Sequence, residues 1–132
     1  VRATCNLAVI ALLAVGAVLA VGAGCGGDSG GSTAITAPAD ADIVLVAKNV
    51  KFDSKRITLT AGAPTTIAIL NLDEGVNHNV HLYDAPGSQR TNLEQGPVVQ
   101  VLDVTIDKPG TYHFICDLHA NMKGTVLVEP GG

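Results

Sequence analysis

The residues best equipped for chemistry are Cys116, His119 and Met122, spaced three apart in the run CDLHANM (116–122) between two β-like stretches. They put a thiolate, an imidazole and a thioether on one short connection. Upstream, NHNVHLYD offers a second imidazole, at His78 or His81. Two His, one Cys and a weak Met form the ligand set of a blue-copper electron-transfer site. The soft thiolate bonds strongly to copper, imidazole suits both of its oxidation states, and a distant thioether tunes the potential without imposing a geometry. Zinc is the rival ion, because tetrahedral Cys and His ligation suits it and His81 could replace Met122 as the fourth ligand.

Taken singly, each of these residues has a duller role. Cys116 alone would be an inert buried thiol and Met122 alone a core filler. His81 and His113 read as surface or hydrogen-bonded core groups. The joint spacing with a histidine at the end of an upstream strand is what points to a metal.

The elements that must hold these groups read as short strands. DIVLVAK (42–48), NVKF (49–52), RITLT (56–60), TTIAILNL (65–72), HNVHLY (78–83), PVVQVLDVTI (97–106), TYHFIC (111–116) and GTVLVE (124–129) are rich in β-branched residues. Gly, Pro, Asn and Asp punctuate them at 61–64, 73–77, 84–97 and 107–110. Many short strands with turn residues between them predict a β-sandwich or barrel. The longest irregular connection, DAPGSQRTNLEQGP, has room for one helical turn. Side chains alternate along a strand, so His78 shares a face with the apolar Val80 and Leu82, while His81 faces away. The same parity turns Cys116 inward with Tyr112 and Phe114.

Composition excludes several classes of function. With 132 residues the chain holds one domain at most, and its net charge of −4 provides no basic patch for nucleic acid. Leaving out residues 1–24 removes only Arg2 among the charged groups, so 7 basic face 12 acidic residues. No Ser/His/Asp set, paired-carboxylate motif or phosphate loop is present, and four histidines are too few for a second metal cluster. Enzyme activity is not expected.

Residues 7–24 are uncharged and almost wholly apolar, with Arg2 ahead of them and small residues at their end. This reads as a signal peptide of lipoprotein type over 1–24. Cys25, in VGAGCGG, stands where lipid attachment would occur, although Gly22 departs from the usual lipobox. The Gly-, Ser- and Pro-bearing stretch that follows, to residue 41, is a flexible tether, and the folded domain is expected over 42–130. Of the three cysteines, Cys5 lies in the removable segment and Cys25 at the anchor, which leaves Cys116 alone in the domain. A lone thiol in an exported protein is a liability unless buried, bonded or metallated. Metallation fits best.

From NVKF and ITLTAG through NHNVHLYD to GTYHFICDLHANMKGTVLV, the sequence resembles the cupredoxins, the family of plastocyanin, azurin and amicyanin. The spacing Cys-x-x-His-x-x-Met is similar to the short ligand loop of amicyanin-like members. The resemblance implies an all-β Greek-key β-sandwich or barrel with one type 1 copper held by His78, Cys116, His119 and Met122. It also implies that Asn79 ties its strand to the cysteine loop, with Asp117 as the partner of its amide. Where plastocyanins carry an aromatic immediately before the cysteine, this chain has Ile115, which argues against a remote electron route there. The expectation is an extracytoplasmic, monomeric carrier of single electrons between redox partner proteins, held at the membrane through lipid on Cys25. The alternative is a non-redox copper carrier or an accessory cupredoxin domain of a metal-uptake system, in which His81 would be an exposed extra ligand.

Overall fold

The structure is a computed structural model that describes residues 34–132. The apolar run 7–24 and Cys25 lie outside the described residues. All regular structure among the described residues is β. The strands are β1 (Ile43–Ala47), β2 (Arg56–Thr60), β3 (Thr65–Asn71), β4 (Asn77–His78), β5 (His81–Leu82), β6 (Gln89–Arg90), β7 (Glu94–Gln95), β8 (Val98–Val104), β9 (Gly110–Cys116) and β10 (His119–Glu129). One sheet has the order β1-β3-β8, a second runs β2-β10-β9-β5-β6, and β4 pairs with β7. β1 and β2 are successive in sequence but lie in different sheets. Each pairs in parallel with a later strand, β1 with β3 and β2 with β10.

Alternation explains the core. In β2, Ile57 and Leu59 are buried and Arg56, Thr58 and Thr60 exposed. Leu45, Ile67, Ile69, Leu102 and Val104 from the first sheet meet Ile57, Leu59, Phe114, Val126 and Val128 from the second in a single apolar cluster. Fully burying one such side chain contributes about 1.5–3 kcal/mol. The scarcity of aromatics is met by one edge-to-face pair, Phe52 and Phe114, with ring centroids 5.4 Å apart. Phe114 lies across its β10 partner Gly124 so closely that a Cβ there would overlap its ring.

Three stretches differ from the sequence-based expectation. NVKF is not a strand: Asn49 and Val50 take positive φ (53° and 56°), and only an isolated bridge joins Phe52 to Ala47. HNVHLY is not continuous but breaks into β4 and β5 at Asn79 and Val80, both fully buried. The 84–97 connection holds no helical turn and instead supplies β6 and β7. In each case the backbone or side chains are bonded to distant segments, which local propensity does not register.

Candidate metal centre

Cys116 ends β9 and His119 opens β10, so the two residues face each other as a cross-strand pair joined by the turn Asp117–Leu118. The next pair is Ile115 with Lys123. Ala120, Asn121 and Met122 therefore have no partners on β9 and form a bulge. This geometry re-aims side chains at a strand end. It turns Met122 into the core, 1% exposed, while leaving Ala120 and Asn121 at the surface. His119 is the first residue of a strand and not part of the loop that its place in CDLHANM predicts.

His78 arrives from the other side, at the end of β4, where it pairs with Glu94. Its Nδ1 lies 3.8 Å from Cys116 Sγ, and His119 Nδ1 lies 3.4 Å from the same sulfur. The three donor atoms fall within 4.8 Å of one another. His78 is fully buried, Cys116 is 3% exposed, and His119 is half-buried. The two imidazoles are tilted by 59° at a centroid distance of 4.7 Å. The structure thus brings His78, Cys116 and His119 together, with Met122 buried in the same core cluster as Cys116.

The partners of each ring decide which nitrogen is free. Asp73 Oδ2 is 2.8 Å from His78 Nε2. A carboxylate only accepts, so this contact calls for a proton on Nε2, which in a neutral ring would leave the Nδ1 lone pair toward the sulfur. His81 has no free nitrogen: Nδ1 meets Asp117 Oδ1 and Nε2 meets Ser88 Oγ, both at 2.7 Å. His113 is half-exposed and bonded through Nδ1 to Asp84 at 2.7 Å. The convergent set is one sulfur and two imidazole nitrogens with a thioether nearby. That composition fits a soft or borderline transition metal, and among such ions copper suits it better than zinc, for which a fourth His or Cys would be the usual complement.

A polar frame surrounds the donors. Asn79 donates from Nδ2 to Asp117 Oδ2 at 2.8 Å and accepts the Asp117 amide on Oδ1 at 2.9 Å. Thr91 Oγ1 accepts from the Val80 amide and donates to Gln100 Oε1, which ties the break between β4 and β5 to β8. No buried side-chain nitrogen or oxygen among the described residues lacks a partner. Burial pushes the carboxyls of Asp73 and Asp117 up, but hydrogen bonds more than offset this and both lie below the ordinary value. For Asp73 the donors are the Val50 and Asn49 amides and His78; for Asp117 they are His81 and Asn79, helped by the charge of Arg90. Neither Asp73 nor the bond of His81 to Asp117 is marked by any pattern in the sequence. A carboxylate five residues ahead of a histidine, in a glycine-bearing turn, is too common a pattern to single out.

A family model described as a cupredoxin-like domain matches residues 8–128. Amicyanin-alpha of Methylorubrum extorquens is 36% identical over 96 residues, which is 70% of this chain and 76% of that protein. Among solved structures, amicyanin from Paracoccus versutus superposes with a TM-score of 0.53 at 30% identity, covering 70% of this chain and 85% of its own. A reduced Cu(I) form of an amicyanin variant has the same TM-score at 27% identity, over 70% and 86% of the two chains. Reduced auracyanin from Roseiflexus castenholzii shares the fold, with a TM-score of 0.58 at 21% identity over 67% and 96%.

Proposed function

Because the chain belongs to the cupredoxin family, we propose that it is an extracytoplasmic type 1 copper protein that carries single electrons between redox partner proteins. His78, Cys116, His119 and Met122 hold the ion, which supplies a one-electron Cu(I)/Cu(II) couple. Cupredoxins are electron carriers and not enzymes. The observation that carries this reading is the convergence of His78 Nδ1, His119 Nδ1 and Cys116 Sγ within 4.8 Å in a buried setting. His78, Cys116 and His119 sit on strand ends and Asp73 holds the His78 ring, so little of the protein need move when the charge at the site changes by one. A copper carrier would call for spare exposed ligands, and His81, the candidate for that part, has both ring nitrogens engaged.

Adding copper(II) to the metal-free protein should give an intense thiolate-to-metal absorption in the red, and Cys116→Ser should abolish it. Tight zinc binding with a colourless copper form would overturn the assignment.

The same proposal covers the N-terminal region: a signal peptide over 1–24, lipid on Cys25, a tether to residue 41 and a cupredoxin domain over 42–130, acting as a monomer. Its support is the apolar run ending at Cys25 and the first strand beginning at Ile43. Cells expressing the chain should hold it in the membrane fraction, and Cys25→Ala should change its processing. A lipid-free mature N-terminus well beyond Cys25 would refute the anchor.

A further inference from the structure

The connection between β1 and β2 contains the most unusual backbone in the domain. Asn49 and Val50 are consecutive residues at φ 53° and 56°. Asn tolerates the left-handed region, whereas a β-branched residue there is a genuine outlier that costs on the order of 1–3 kcal/mol. Such strain persists only where surrounding contacts over-determine it. Here the contacts converge on one carboxylate. The Asn49 amide donates to Asp73 Oδ1 at 2.6 Å and the Val50 amide to Asp73 Oδ2 at 2.8 Å. Successive amides in this conformation form a concave nest for an anion.

The Asp73 backbone is fixed as well. Its amide donates to Oδ1 of the fully buried Asn71 at 3.0 Å, and Asn71 Nδ2 donates to the carbonyls of Val76 and Glu94. Oδ2, the oxygen shared with Val50, is the one that receives His78 Nε2 at 2.8 Å. The other side of the loop reaches the opposite half of the site, because Asn121 Nδ2 donates to the Val50 carbonyl at 3.2 Å. Asn121 lies in the bulge between His119 and Met122. One strained dipeptide therefore touches both segments that supply the proposed ligands.

We propose that Asp73, cradled by Asn49 and Val50, is a positioning residue for the metal centre that fixes the tautomer and aim of His78 and lowers the reduction potential of the bound ion. The carboxylate holds the proton on Nε2, so that Nδ1 is presented to the metal before the metal arrives. A full negative charge on the far side of the ring makes the imidazole a stronger donor and favours the more highly charged oxidation state. Loss of such a partner typically weakens metal affinity about 10–100-fold. The inference rests on the copper-site reading above for the potential, but not for the tautomer.

Long-range ¹H–¹⁵N NMR of the metal-free chain reads the tautomer directly. The wild type should show His78 with Nε2 protonated and Nδ1 bare, and Asp73→Asn should lose that preference because an amide cannot accept from both loop amides and the ring. In the copper-loaded proteins, Asp73→Asn should raise the reduction potential and weaken copper binding at least tenfold. Asp84→Asn, which removes the carboxylate bonded to His113 away from the donors, should leave tautomer and potential where the wild type has them. A metal-free wild type with Nδ1 protonated overturns the proposal whatever the variants do. So does an Asp73→Asn protein with unchanged tautomer and potential. A chain that shows the expected tautomer but never develops the red absorption would instead count against the copper reading alone.

Discussion

At the scale of single residues, the proposed centre separates groups that would bind from groups that would aim. Cys116 Sγ and the Nδ1 atoms of His78 and His119 converge, while Asp73 bonds the far nitrogen of His78 and Asn79 bonds Asp117 beside the cysteine. Met122 belongs to neither set. It is fully buried among apolar side chains, and as the weakest of the four proposed ligands its thioether would tune the couple more than secure the ion. Met122→Leu conserves volume, so it should cost less than about 1.5 kcal/mol of stability. It should keep the blue colour and raise the reduction potential, because a donor to Cu(II) is lost. Cyclic voltammetry of the two proteins checks this; an unchanged potential, or loss of copper binding, would show that Met122 is not axial.

At the scale of elements, the tightest constraint lies where β9 crosses β10. A Cβ on Gly124 would overlap the Phe114 ring and approach the Lys55 carbonyl to 2.8 Å. Gly124→Ala should therefore destabilise the metal-free protein by about 1–3 kcal/mol, the usual cost of overpacking. A urea titration should show a lower midpoint at constant slope; an unchanged midpoint would mean that the ring moves aside freely. The long strands were legible in the sequence because RITLT, PVVQVLDV and TYHFIC obey a two-residue alternation that any buried sheet face imposes. The same signal failed at HNVHLY and NVKF for a common reason. Asn79 turns its side chain to Asp117 instead of continuing the alternation, and the amides of Asn49 and Val50 are spent on Asp73. Both departures are bonds to residues more than 20 positions away, and both partners stand next to proposed ligands in sequence or by hydrogen bond. The Cys116, His119 and Met122 spacing was legible because three proposed ligands fall on one hairpin.

At the scale of the whole molecule, the question is where a partner meets the centre. His119 is half-buried, and its neighbours Leu118, 55% exposed, and Ala120 give it an apolar rim. Such a surface suits brief docking. Two copies meeting through it would bring any added charge into self-opposition. Ala120→Glu should therefore slow electron self-exchange while leaving the absorption spectrum alone. Ile115→Ala, on the face of the sheet that carries His81 and Lys123, should leave the rate nearly unchanged. NMR line broadening in mixed-valence samples ranks the two, and the reverse order would exclude transfer at the His119 edge.

The unpaired stretch between His119 and Lys123 has a consequence for how such a protein can change over generations. Residues inside a bulge have no ladder partners, so adding or removing one there need not slip the register of β9 against β10. The same insertion between Cys116 and His119 would break their direct pairing. Gains and losses of single codons should thus accumulate on one side of His119 and be purged on the other. A library of one-residue insertions from 117 to 123, sorted by retained red absorption, would display that asymmetry as a step at position 119.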